Sequence, residues 1–165
     1  MKKILSAIIV AGVLFSCSTA EFDEAVPCAE ELVPEAEQFP QYWRLVKMTG
    51  SMINSETTGE NMAWQEVIEL KSDNTFIKAR QRDSRTKEAL GSYSFSHDPI
   101  DNSVMLTLAY SSGKDLIGSC LSITETETYY FRSKCTMFGT WSACDGPGLE
   151  YARQVITIDY PKGKE

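Results

Sequence analysis

Short stretches of alternating apolar and polar residues recur along the chain from Gln41 onward. In one of them Val104, Leu106 and Leu108 occupy every second position. A period of two is typical of a β-strand that buries one face. Breaks rich in Asp, Asn, Gly, Ser and Pro separate eight such stretches and favour tight turns. The predicted strands are residues 42–49, 63–71, 75–82, 88–96, 103–110, 116–124, 127–135 and 151–160.

The spacing of these strands predicts an all-β fold, because no long helical period appears beside them. Eight short strands at regular intervals are typical of a sandwich or an up-and-down barrel. Tandem hairpins favour the eight-stranded antiparallel up-and-down barrel, since closure leaves no exposed sheet edge. We therefore expect one barrel domain over residues 41–165.

The first 17 residues have the pattern of a secretory signal. Lys2 and Lys3 precede an apolar run from Ile4 to Phe15, which is too short to span a bilayer. The run ends in LFSC, which resembles a bacterial lipobox with Phe15 in place of the usual small residue. The resemblance implies that residues 1–16 are a signal peptide and that Cys17 is lipidated. Several acyl chains would then anchor the protein to a membrane, in a compartment where disulfides persist.

The segment that follows is strongly acidic. Residues 17–40 contain seven acidic side chains, no Lys or Arg, and three prolines, which predicts an extended lipidated tether. Residues 41–165 carry 16 acidic and 14 basic side chains, a net charge of −2. That domain has no basic field of the kind that nucleic-acid binding requires.

Four motifs in a fixed order carry a family resemblance. They are YWRLVKMTG, IELKSDNTF, LGSYSF and DGPGLEYAR. In this order the chain resembles the small lipocalin-like lipoproteins of the Bacteroidetes type. The resemblance implies a lipocalin-like barrel and an outer-membrane, lipid-anchored location. The acids that follow Cys17 also resemble the signal that sends such lipoproteins to the cell surface. The resemblance implies architecture more than activity.

Four cysteines remain besides Cys17, and an even set in an oxidising compartment predicts two disulfides. Three pairings are possible for Cys28, Cys120, Cys135 and Cys144. We favour Cys135–Cys144, which would close a loop between the last two predicted strands, and Cys28–Cys120, which would fix the tether to the barrel. A redox pair normally has CxxC spacing, and zinc sites have closely spaced Cys or His ligands. The only histidine, His97, lies in a predicted turn, so we expect neither a metal nor a catalytic cysteine.

The segment between Cys135 and Cys144 holds three large apolar residues, Met137, Phe138 and Trp141. One interpretation is that they pack over one end of the barrel as a plug. The other is that they are exposed contacts for a ligand or a protein partner.

Charged residues offer two further candidate sites. Lys78, Arg80 and Arg82 alternate and should share one strand face, which is either a solvated outer face or an anion-binding patch. Paired carboxylates could act in hydrolysis, but Glu66 and Glu69 have opposite parity. Glu125 and Glu127 fall at a predicted turn, so no acidic pair is expected to converge. We expect no enzyme and no cofactor.

The leading hypothesis is a lipid-anchored envelope protein whose barrel binds a small or hydrophobic ligand. The alternative is a protein-interaction or inhibitor module that contacts an envelope partner through the Cys135–Cys144 loop. An enzyme is the third and least favoured hypothesis, because no acid/base constellation is evident.

Overall fold

The computed structural model describes residues 26–27, 39–120 and 124–155, and side chains from residue 39 to residue 154 within these ranges. The described chain forms ten strands. They are β1 (Val26–Pro27), β2 (Gln41–Thr49), β3 (Thr57–Thr58), β4 (Gln65–Leu70), β5 (Thr75–Arg82), β6 (Arg85–His97), β7 (Val104–Ser112), β8 (Thr126–Ser133), β9 (Thr136–Gly139) and β10 (Gly148–Val155).

The predicted barrel is confirmed. Strands β2 and β4 to β10 pair antiparallel, each with its neighbour in sequence, and β10 closes the sheet by pairing with β2. The two-residue strands β1 and β3 lie outside this ring of eight. The result is a closed eight-stranded up-and-down barrel of the lipocalin-like kind.

Alternating side chains place one face of each strand in the core. In β4, Glu66, Ile68 and Leu70 point inward and are almost completely buried. A strand with this pattern is stabilised by burial of its inner face, at about 25 cal/mol per Å² of apolar surface. The pattern also fixes the register, because a slip of one residue would turn the inner face outward.

The barrel has two distinct ends. At the mouth end lie the start of β2, the end of β10 and the turns at residues 71–74, 98–103 and 134–135. The capped end carries three short 3₁₀ helices, which are Gly59–Asn61, Lys114–Leu116 and Thr140–Cys144. At that end Asp83 and Ser84, both with positive φ, form the tight turn between β5 and β6, as the mirror-image hairpin turns require.

Seven of the eight predicted strands correspond to strands of the barrel. The prediction over 116–124 is wrong, because the described part of that segment is the end of a 3₁₀ helix followed by irregular chain. The eighth barrel strand is instead the four-residue β9, which the sequence analysis placed in a loop. The last predicted strand begins three residues earlier than expected, and residues 156–160 lie outside the described part.

The predicted disulfide pairing is wrong. Cys144 bonds to Cys120, with a Cα–Cα distance of 5.5 Å, so neither Cys135–Cys144 nor Cys28–Cys120 forms. The physical reason is that β9 carries the chain away from Cys135, whereas the 3₁₀ helix returns Cys144 to the 113–125 segment. Cys135 is also disulfide-bonded, to neither Cys120 nor Cys144. Cys17 and Cys28 lie outside the described residues.

Part of the predicted tether joins the barrel. Val26 pairs with Val155 and Pro27 with Gln154, at the mouth end of β10. The rest of residues 17–38, like the predicted signal peptide over 1–16, lies outside the described residues. Among the helices of the described ranges, none has the length and apolar character to cross a membrane.

Candidate functional site

A cluster of charged side chains lies inside the barrel. Lys78 on β5 has no solvent exposure, and its Nζ lies 2.8 Å from Glu127 Oε2 and 3.0 Å from Glu66 Oε1. Glu66 also accepts hydrogen bonds from Arg80 and, at 2.5 Å, from the Tyr151 hydroxyl. Two carboxylates therefore face two cations, and the cluster is neutral. Neutrality matters because an uncompensated charge in a protein interior is costly.

Tyrosines complete the buried cluster. Tyr110 donates to Glu127 Oε2, and Lys78 Nζ lies 3.2 Å from the Tyr129 hydroxyl. Burial and the neighbouring glutamates raise the pKa of Tyr110, Tyr129 and Tyr151 well above 10, so all three stay protonated. Glu127 Oε1 is buried and has no hydrogen-bond partner among the described protein groups.

Opposing effects act on Glu66. Burial raises the pKa of its carboxyl, but Lys78, Arg80 and the Tyr151 hydroxyl together outweigh burial and lower the pKa below its ordinary value. Glu66 is therefore ionised at neutral pH, where it holds its cationic partners in place.

Acid is expected to weaken the fold through this carboxylate. Because the folded pKa of Glu66 is depressed, its stabilising effect is present above its ordinary value of 4.5 and is lost as the pH falls through the lower folded value. Urea unfolding at about pH 7, 5 and 3.5 should give similar free energies at the first two values and a smaller one at the third.

The matched variant is Glu66→Gln, which should be less stable at neutral pH and should lose less stability in acid. Asp73, Asp101 and Asp115 also have lowered pKa values, but they remain in both proteins and cancel in the comparison. Equal acid losses in the two proteins would show that Glu66 does not carry the effect.

Two predictions about charge are corrected by this cluster. The face shared by Lys78 and Arg80 points into the barrel, so it is neither a solvated outer face nor an anion patch; only Arg82, at the end of β5, is exposed. Acidic residues do converge, because Glu127 lies in β8 and not in a turn. Alternation identified the shared face but could not show that it points inward.

An open cleft lies at the mouth end, with a volume of about 420 Å³. This volume falls in the range of small-molecule sites. The inward-facing residues near the mouth ends of β2, β6, β7, β8 and β10 supply most of it. Among the described residues, those that line the cleft are Gln41, Trp43, Phe95, Val104, Phe131, Arg132, Ser133, Lys134 and Arg153.

Aromatic rings form the apolar surface of the cleft. Trp43 is almost completely buried and meets Phe131 edge to face, with ring centroids 5.3 Å apart. Phe95 lies 6.0 Å from Phe131 and is 46% exposed, although it follows the inward-facing Tyr93 by two residues. A large apolar side chain left open beside a concave surface indicates a contact site.

This cleft was not predicted from the sequence. Phe95 and Phe131 end their alternating runs at the mouth, and this position could have indicated that the rings line an opening. The predicted contact residues were instead Met137, Phe138 and Trp141, which the fold separates. Met137 is fully buried in the core, and Phe138 lies outside the barrel wall under the Arg132 guanidinium, 4.5 Å from its ring centroid.

Trp141 packs at the capped end, between two glycines. A Cβ on Gly118 would lie 2.8 Å from the Trp141 ring, and one on Gly146 would lie 2.3 Å from it. Both positions need glycine because the indole fills the space that a side chain would occupy. Trp141 thus packs over the end of the barrel, beside the Cys120–Cys144 disulfide, as the plug interpretation expected.

His97, at the end of β6, is exposed. Within residues 39–120 and 124–155, no three His, Cys, Asp or Glu side chains are grouped so that they could hold a metal ion. Comparison of the chain with family models, with curated proteins and with solved structures finds no match.

Proposed function

We propose that this protein is a lipid-anchored envelope protein that binds one small hydrophobic ligand in the mouth cleft. The observation that carries the binding proposal is the cleft itself, a concavity of about 420 Å³ with Trp43, Phe95 and Phe131 on its surface. Eight-stranded barrels have room for one small ligand when side chains do not fill the opening. The interior below is filled by core and cluster residues, which supports a ligand position at the mouth.

The anchored location rests on the sequence. The short apolar run that ends in LFSC supports a lipidated Cys17 in an outer-membrane lipoprotein, and the acids that follow support export to the surface. The alternative, a partner contact through residues 135–144, has little support, because Met137 is buried and Trp141 packs against the core. The accessible aromatic surface is at the other end of the barrel.

A neutral fluorescent probe tests the binding proposal. We expect N-phenyl-1-naphthylamine to increase in fluorescence with the folded Cys17→Ser protein, in which no acyl chain of its own can occupy the cleft. Val104→Trp should fill the cleft from its rim, because Val104 is 38% exposed and can be enlarged without disturbing the core. This variant should weaken probe binding about tenfold or more, which corresponds to about 1.4 kcal/mol.

The matched control is Ile53→Trp, which adds the same ring to a residue that is 94% exposed at the capped end. It should bind the probe like the parent protein. Binding that is equal in all three proteins would place the probe elsewhere and would contradict the proposed cleft.

A further inference from the structure

Cys135 is disulfide-bonded, and its partner is neither Cys120 nor Cys144, because those two residues bond to each other. The sequence contains five cysteines, so Cys17 and Cys28 remain as partners within the chain. Both lie outside the described residues. The partner can nevertheless be inferred, because strand β1 ends one residue before Cys28 and its pairing is described.

The two edges of β10 show where β1 lies. Near the mouth, one edge of β10 pairs with β2, since Gln154 is opposite Tyr42. Gln154 is also opposite Pro27, so β1 lies along the other edge. That edge is the one on which β9 pairs, with Ala152 opposite Thr136. Strands β1 and β9 therefore follow the same edge of β10, one after the other.

Cys135 lies at the position between these two strands. It directly precedes Thr136, the first residue of β9, and its carbonyl oxygen accepts a hydrogen bond from the Arg153 amide at 2.9 Å. Arg153 lies between Ala152 and Gln154, which are opposite the start of β9 and the end of β1 respectively. Cys135 is therefore beside the residue of β10 that β1 would meet next.

Chain connectivity brings Cys28 to the same position. Cys28 follows Pro27, the last residue of β1, and consecutive Cα atoms are about 3.8 Å apart. The two Cα atoms of a disulfide are usually about 4.4–6.8 Å apart. Since Pro27 and Cys135 lie beside neighbouring residues of β10, Cys28 can reach Cys135 without any change in the described strands. Cys17 is nine positions before Val26, at the opposite end of β1.

We propose that Cys28 and Cys135 form a disulfide strap that fastens β1 to the rim of the mouth cleft. Cys135 is 8% exposed and follows Lys134, one of the residues that line the cleft. A pairing of two residues is weak on its own, so the covalent bond keeps the N-terminal segment there. When the bond forms, both thiol hydrogens and two electrons pass to a protein disulfide, which is reduced to a dithiol.

Peptide mapping without reduction, on the exported chain with Cys17 in place, tests the pairing. A glutamate-specific protease separates Cys17 from Cys28, because two glutamates lie between them, and chymotrypsin cleaves at aromatic residues between Cys135 and Cys144. We expect a fragment that joins Cys28 to Cys135. A fragment that joins Cys17 to Cys135, or a Cys28 thiol that is alkylated without prior reduction, would overturn the proposal.

Hydrogen exchange tests whether the bond holds β1 in place. In the Cys28→Ser protein, peptides that contain Val26 or Val155 should exchange at least about tenfold faster than in the parent protein, because β1 can then separate from β10. The matched control replaces Cys120 and Cys144 with serine, at the capped end, and should leave the exchange of these peptides unaltered. An unchanged rate in Cys28→Ser would overturn the strap, and the peptide map uses the unaltered chain, so it stands even if this variant fails to fold.

Discussion

Replacing Lys78 with methionine is expected to lower the free energy of unfolding by about 3–5 kcal/mol, the usual effect of removing one partner from a buried ion pair. The reason is that Glu66 and Glu127 both contact the Lys78 ammonium and have no exposed side-chain surface. Methionine has a similar volume, so the effect comes from charge and not from a cavity. Urea unfolding followed by far-ultraviolet circular dichroism measures it.

The same substitution at Lys87 is the matched control. Lys87 is on the neighbouring strand β6, and its side chain is 66% exposed beside Asp115. Its replacement should change stability by about 0.5 kcal/mol or less. If Lys78→Met were as mild as Lys87→Met, the buried cluster would not hold the charges assigned to it.

A second substitution should partly reverse the loss. In Lys78→Met the cluster has one excess negative charge, and adding Glu127→Gln removes it. The Glu66–Arg80 pair then remains as a neutral unit, and the new amide can still accept from Tyr110. The double variant should therefore be more stable than Lys78→Met alone, and additive losses would contradict this account of the cluster.

Removing the Cys120–Cys144 disulfide should be the next largest effect. The bond joins residues 24 apart, and closing a loop of that size in the unfolded chain is worth about 3 kcal/mol in the chain-entropy description. We expect the variant with both cysteines replaced by serine to be less stable by about 2–4 kcal/mol. Thermal and urea unfolding under non-reducing conditions measure the difference.

Peptide mapping without reduction provides the control for this prediction. The parent protein should release one fragment that joins Cys120 to Cys144, and the double serine variant should not. Ser142→Ala, an exposed change two residues from Cys144, should leave stability unchanged within about 0.5 kcal/mol. Equal stability of the parent and the double serine variant would show that the bond does not restrain the unfolded chain.

Strand positions could be predicted from the sequence because side chains in a β-strand alternate between its two faces, and this alternation is visible within a few residues. The run from Thr75 to Arg82 was placed at its observed bounds. Its inner face could not be predicted, since both faces mix apolar and polar residues. Lys78 is on the inner face because Glu66, on the neighbouring strand β4, and Glu127, on the more distant β8, provide carboxylates there, 12 and 49 residues away in sequence. No local pattern contains that information.

The disulfide pairing and the cleft could not be predicted, because they depend on structure that the alternation of apolar and polar residues does not show. The four residues of β9 are too few to show a period, whereas residues 116–124 are apolar enough to resemble a strand. Because a strand was predicted over residues 116–124 and not at β9, the predicted disulfide partner of Cys144 was also wrong. The mouth cleft escaped prediction for a similar reason, because its residues come from five strands that only barrel closure brings together.

The pairing of Val26 and Pro27 with β10 sets a limit on where the mouth can be relative to a bilayer. Val26 is nine positions after Cys17, and a fully extended chain of that length spans about 30 Å. If Cys17 carries the acyl chains, the segment that joins the lipid to the barrel therefore reaches the barrel at the rim of the cleft. The mouth cleft is then held within about 30 Å of the lipid surface, in whichever direction the barrel turns.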